Sequence, residues 1–258
     1  MSTIPISGYP SNLAVNASGT RVYVASGDVI SIIDTSTNSV VRTLPADFPV
    51  DVRFGPDGSR AYVTNIGDGT LRVVDTTNNT LAAIVPIGSD AARLAVSPDG
   101  SRVYVTDRDA GRLVVVDAAT NTVSAVIPIG SSATDVVLSP DGARAFVTNF
   151  ADGTLTVVDT SDNTVVTTIP VAPARSVDQV LLSPDGSRAY VHRTGSSPVY
   201  VIDTTTNTVV ATIPVTAFEL EINQDGTLAY APNWRDDGAV SVISLDGGAR
   251  VPSDRTMT

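Results

Sequence analysis

The only histidine, His192, the only tryptophan, Trp234, and the only two glutamates, Glu219 and Glu221, all fall between positions 192 and 234 of a 258-residue chain. Chance would scatter four such rare residues. Two carboxylates two positions apart on an extended strand point to one side, and like charges held together push a carboxyl toward a raised pKa suited to acid or base work near neutral pH. His192 titrates in that range by itself. Arg193 and Arg235 are placed to hold a carboxylate or stabilise an oxyanion, and Trp234, in the loop Asn233-Trp234-Arg235-Asp236-Asp237, to cover a flat ligand and exclude water. The chemistry expected of His192, Glu219 and Glu221 is cofactor-independent acid-base catalysis: elimination, cyclisation, isomerisation or lactone opening. Two blander readings compete with it. A closing repeat is atypical in any repeat protein, and a lone histidine is commonly a hydrogen-bonded structural residue.

Composition removes other chemistries. All 16 basic residues are arginine, which excludes a Schiff-base lysine, a P-loop lysine and a Ser-Lys pair. With no cysteine there is no thiolate nucleophile, iron-sulfur cluster, zinc-thiolate site or disulfide. One histidine cannot build a two-histidine metal site within one chain. No cofactor and no resident metal are expected. The net charge of −11 has the wrong sign for nucleic acid or an anionic membrane surface, so neither is an expected partner. Of the 27 acids, 25 are aspartate.

These residues are carried by a repeat. A turn recurs as NASG ending at Gly19, GPDG at Gly58, SPDG at Gly100, Gly142 and Gly186, and NQDG at Gly226, at intervals of 39, 42, 42, 44 and 40. A hydrophobic run closing in aspartate recurs at Asp34, Asp75, Asp117, Asp159 and Asp203. Apolar residues alternate in short runs between turns, which predicts four strands, A to D, per unit and no helix. In the third unit these are about 93–97, 102–107, 113–117 and 123–128. Pro45, Pro86, Pro128, Pro170 and Pro214 fit outer strands, because proline cannot donate to a central ladder.

Four-stranded units of this period arranged radially make a β-propeller. The expected fold is all-β: a six-bladed β-propeller of four-stranded antiparallel blades, one domain over 1–258 with an irregular tail at about 249–258. The last unit lacks a clear strand D, so the N-terminal segment around Ile4, which repeats a strand D ending, is expected to close the ring by joining that blade.

Tyr62-Val63-Thr64-Asn65 spells YVTN, with near copies at 104–107 and 146–149. Together with the SPDG turns this resembles the YVTN-type β-propeller repeat family over almost the whole chain. The resemblance implies the fold and carries no site residue; related propellers include lactonases and lyases, and many have seven blades.

In a propeller the D-to-A and B-to-C loops share one face around the central channel. Here those loops differ from unit to unit while the opposite turns are nearly identical, and divergent loops on a rigid frame are where function sits. The first residues of the six A strands are Asn12, Asp51, Arg93, Asp135, Gln179 and Glu219, all polar, with Arg53 two positions beyond Asp51. They are expected to line the ligand side of the channel. Their carboxylates would suit a calcium or magnesium ion, but Arg93 in the same ring argues for a solvated rim. The expected partner is a small-molecule ligand or substrate, with a peptide or protein bound on the same face as the alternative, and the chain is expected to be monomeric. The first ten residues have no secretory pattern, which points to the cytoplasm unless a signal was removed.

Overall fold

The computed structural model describes residues 3–196, 198–233 and 239–245. They hold 23 strands and, among the described residues, no helix. The strands are β1 Pro10–Val15, β2 Arg21–Ser26, β3 Val29–Asp34, β4 Ser39–Pro45, β5 Pro49–Phe54, β6 Arg60–Asn65, β7 Thr70–Asp75, β8 Thr80–Pro86, β9 Ala91–Val96, β10 Arg102–Asp107, β11 Arg112–Asp117 and β12 Thr122–Pro128. They continue as β13 Ala133–Leu138, β14 Arg144–Asn149, β15 Thr154–Asp159, β16 Thr164–Pro170, β17 Gln179–Leu182, β18 Arg188–His192, β19 Val199–Asp203, β20 Thr208–Ile213, β21 Glu221–Ile222, β22 Leu228–Asn233 and β23 Ala239–Ser244. They form six antiparallel sheets in chain order: β1 to β4, β5 to β8, β9 to β12, β13 to β16, β17 to β20, and β21 to β23. The chain divides into two compact units, Met1–Leu138 and Ser139–Thr258.

Turn chemistry explains why each sheet follows chain order. The A-to-B turns place Gly58, Gly100, Gly142 and Gly186 at φ of 71–72°, a left-handed conformation that costs glycine nothing. The C-to-D turns put Asn79, Asn121, Asn163 and Asn207 at φ of 54–60°, which asparagine tolerates better than other side chains. Each turn is tied by the aspartate that opens it: Asp75 Oδ1 accepts from the Thr77 amide at 2.8 Å, and Asp99 Oδ1 from the Ser101 amide at 3.0 Å. Glutamate is one methylene too long for this closure, which accounts for 25 aspartates against two glutamates. The outer hairpins β3-β4, β7-β8, β11-β12, β15-β16 and β19-β20 all shift register at the same place. That bulge, and the prolines ending β4, β8, β12 and β16, blunt the exposed edges.

The core lies between neighbouring sheets. In the first unit Tyr62, Leu71 and Val73 of the second sheet pack on Leu94, Val103 and Val105 of the third. In the second unit Tyr190, Val199 and Ile213 pack on Ala229, Ala231 and Ile243.

Residues 3–6, expected as a fourth strand for the last sheet, lie in no strand, and that sheet has three strands among the described residues. Pro5 lacks the amide a ladder needs, and the chain is instead tied down where the Gly27 amide donates to the Tyr9 carbonyl at 3.3 Å.

One bond of the first unit has no counterpart at the same repeat positions of the second. The Tyr23 hydroxyl donates to Asn79 Oδ1 at 2.7 Å, fastening one sheet to the C-to-D turn of the next. In the second unit the same repeat positions hold Phe146 and Asn207, and Asn207 Oδ1 is buried without a partner. Phe146→Tyr is expected to supply the missing donor and raise stability by about 1 kcal/mol, read as a higher urea midpoint at unchanged m-value.

Candidate functional site

In the second unit the site centres on His192, the last residue of β18, paired in register with Gln179 on β17. It replaces the threonine of the repeat, and an apolar environment closes over it: the residue is 1% exposed. Imidazole Nδ1 has no hydrogen-bond partner among the described residues. Burial drives the pKa below its usual 6.5, opposed by a backbone hydrogen bond to Arg193 and by the charges of Asp178 and Glu219. The ring is therefore neutral at pH 7. Asp178 was not legible as a site residue, although it stands next to Gln179. Its amide donates to the His192 carbonyl at 2.9 Å, and its Oδ1 accepts from the Thr194 amide at 2.8 Å.

Arg193 is exposed, its guanidinium 5.7 Å from the Phe150 ring centroid, a cation-π contact that fixes where the charge sits. Glu219 and Glu221 are both exposed. Glu219 acts on His192 through its charge. Trp234 and Arg235 lie outside the described residues.

In the first unit the leading residues of the A strands do structural work. Asp51 is fully buried; its carboxylate accepts from the Leu94 amide of the next sheet at 3.1 Å and from the Val52 amide at 3.0 Å, and lies 3.5 Å from Arg53 Nε. Asp135 repeats part of this, accepting from the Val136 amide at 2.9 Å. Asn12 is half-buried with Oδ1 unpartnered, Arg93 is half-buried, and the Arg53 side chain reaches solvent. Loop arginines pair with buried aspartates: Arg108 Nε with Asp90 at 2.6 Å and Arg112 Nε with Asp107 at 2.8 Å. No group of three His, Cys, Asp or Glu able to hold a metal occurs among the described residues. No helix among them is long and apolar enough to cross a membrane.

The Cytochrome D1 heme domain family model matches residues 60–188, half of the chain. No curated protein matches. Among solved structures, the hydrazine synthase of Kuenenia stuttgartiensis superposes with a TM-score of 0.77 at 19% identity, over 92% of this chain and 77% of that one. A functionally unknown protein from Desulfotomaculum acetoxidans DSM 771 superposes with a TM-score of 0.75 at 18% identity, over 96% and 87%. At these identities the structural likeness establishes the fold, a β-propeller, and nothing about activity. The β-propeller that the YVTN resemblance implied stands. The family match corrects one expectation: that of no cofactor is overturned, and the cofactor-independent chemistry built on it is left without support.

Proposed function

Because the chain belongs to the Cytochrome D1 heme domain family, we propose that it is a cofactor-binding β-propeller that holds a haem-type group through His192. The observation that carries this is the buried, neutral imidazole with Nδ1 unpartnered, since neutral imidazole with a free nitrogen is the form that ligates iron. There is no cysteine and one histidine, so His192 is the imidazole donor this chain offers. Asp178 and Glu219 place negative charge near the ring, which raises the basicity of a ligating imidazole. Arg193, held over Phe150, supplies a cation for the carboxylate edge of such a group. When bound, a haem supplies redox chemistry or a seat for a small gaseous ligand. At 1% exposure the imidazole is covered, so uptake has to displace a neighbouring side chain.

Within this reading Glu221 and Gln179 line the approach to His192, and the loop face takes a small molecule rather than nucleic acid or membrane. The reading includes six blades, a single domain over 1–258 and a monomer carrying the YVTN-type repeat, in the cytoplasm or exported.

The test is titration of the purified protein with haemin. A saturable one-to-one red shift of the Soret band is expected, with His192→Ala weakening binding by at least about tenfold. Absence of a saturable shift, or equal binding by His192→Ala, overturns the proposal. A second reading, a scaffold for a peptide or protein, is favoured by Tyr9 and Phe48, which are 92% and 60% exposed in loops of the first unit, with Phe48 held at φ 47°. Large exposed rings suit interface anchors, and a bulky residue at positive φ stores strain that function can justify.

A further inference from the structure

The A-to-B turn side of the first unit carries a cavity of about 320 Å³ between the second and third sheets, lined by Asp57, Arg60, Tyr62, Asp99, Ala118 and Ala119 among others. It lies where the repeat departs from its own rule. In the other complete units the residue after the turn aspartate is threonine, and its hydroxyl latches the turn to a glycine carbonyl of the same sheet: Thr35 to Gly19 at 2.7 Å, Thr76 to Gly58 at 2.5 Å, Thr160 to Gly142 at 2.6 Å and Thr204 to Gly186 at 2.6 Å. In the third unit that residue is Ala118, which has no hydroxyl to give Gly100, and Ala119 stands where the other units have serine or threonine. Two side chains are trimmed at one place, and the cavity occupies the space they leave.

Arg60 follows one of two patterns in the repeat, reaching to the next sheet as Arg144 does to the Thr204 carbonyl at 3.0 Å. Its counterparts Arg21 and Arg188 pair with the aspartates opposite them in register, Asp34 and Asp203. Arg60 faces Asp75 in register but reaches across to the next sheet, donating to the Ala118 carbonyl and, at 3.2 Å, to Asn121 Oδ1. Among the described residues it forms no ion pair, and its charge acts at longer range on Asp57 and Asp75. Tyr62 is 2% exposed, and burial raises its pKa, so its hydroxyl stays a donor at any physiological pH. Asp57 and Asp99 are held ionised by serine donors, Ser59 for the first and Ser97 and Ser101 for the second, which brings Asp99 to about 2. One cavity therefore presents a guanidinium together with two carboxylates.

We propose that this cavity binds a small zwitterion, a free α-amino acid with a short side chain, its carboxylate on Arg60 and its ammonium on Asp57 and Asp99. The volume, at the low end for ligand pockets, restricts the ligand to a few heavy atoms. Pairing opposite charges on a small ligand satisfies both kinds of wall group, which neither a simple anion nor a simple amine can do. The site is separate from His192 and does not depend on haem.

The test is an amide chemical-shift titration of the full chain with glycine and L-alanine, with propionate and ethylamine as probes lacking one charge each. Saturable millimolar binding is expected, with shifts at Gly100, Ser101, Ala118 and Ala119, and at least about tenfold weaker binding of both single-charge probes. Ala118→Thr restores the latch to Gly100 and fills the space, so it is expected to abolish binding while leaving the urea midpoint unchanged or higher. Ala118→Val fills the space without the hydroxyl and is expected to abolish binding too. No saturable shift in the parent chain, undiminished binding by folded Ala118→Thr or Ala118→Val, or equal binding of propionate overturns the proposal. Haemin uptake by Ala118→Thr is expected to be unchanged, which keeps failure here distinct from failure at His192.

Discussion

Asp68→Ala is expected to destabilise the protein by about 1–3 kcal/mol, the range for leaving a buried donor without its partner when that partner, Asp68, is itself one-third exposed, while Asp68→Ala combined with Arg72→Val recovers most of that loss. Arg72 projects from β7 into the sheet interior, its side chain 8% exposed. Its guanidinium donates to the Pro45 carbonyl at 2.6 Å and to Asp68 Oδ2 at 2.6 Å, and Nε has no partner among the described residues. With Asp68 gone, a buried cation keeps one carbonyl. The repeat shows what an uncharged solution looks like: the corresponding positions are Val114 in the third sheet and Thr156 in the fourth, both buried. Replacing both partners removes the desolvation cost along with the attraction, so the double variant is expected near the parent. Equal urea midpoints for Asp68→Ala and the parent would show that Arg72 finds water and that the pair adds nothing.

The second large effect is an acid transition in two stages. Eleven aspartates have pKa values held below the usual 3.8, most of them by turn hydroxyls and amides, with Asp99 and Asp185 reaching about 2. A carboxyl depressed in the folded chain adds stability that is fully present above its unfolded pKa and is lost as pH falls through its folded value. The melting temperature is therefore expected to hold above pH 4 and to fall steeply from there toward pH 2. His192 adds a shallower step at higher pH. Its folded pKa lies below 6.5, so the unfolded chain takes up a proton first, and stability declines as pH drops below that value. Thermal melts across this range check both stages. His192→Gln should erase the upper step and leave the lower one, and a parent profile flat to pH 2 would show that the turn carboxylates do not contribute.

Strand B of the third unit, expected at 102–107, is β10 with the same bounds, and strand D, expected at 123–128, begins one residue earlier. Such agreement follows from periodicity, since Val-Tyr-Val-Thr between Pro-Asp-Gly and Asp-Ala-Gly turns leaves one extended solution. The repeat likewise exposed its deviant residues, His192 among them. Depth was not legible. Asp51 and Asn12 read alike as polar residues leading an A strand, yet one is sealed against Leu94 and the other half-buried. Glu219 and Glu221 were read as a coupled pair; spacing showed their side and not the water around them. Ala118-Ala119 was in plain view, but a threonine latch that four turns make and one lacks becomes visible only when the hydroxyls have coordinates.

The latch joins Thr35 to Gly19 and Thr204 to Gly186 inside single sheets, and among the described residues every ladder joins strands that follow one another along the chain. Contacts this local lower the entropy that must be lost before pairing is rewarded. Compared with a Greek-key sandwich of equal length, the chain is then a low-contact-order β protein, each sheet able to form as a meander before its neighbours are complete. Kinetically the hydroxyl latch acts late within each meander, tying its last turn to its first, so losing one should speed unfolding more than it slows folding.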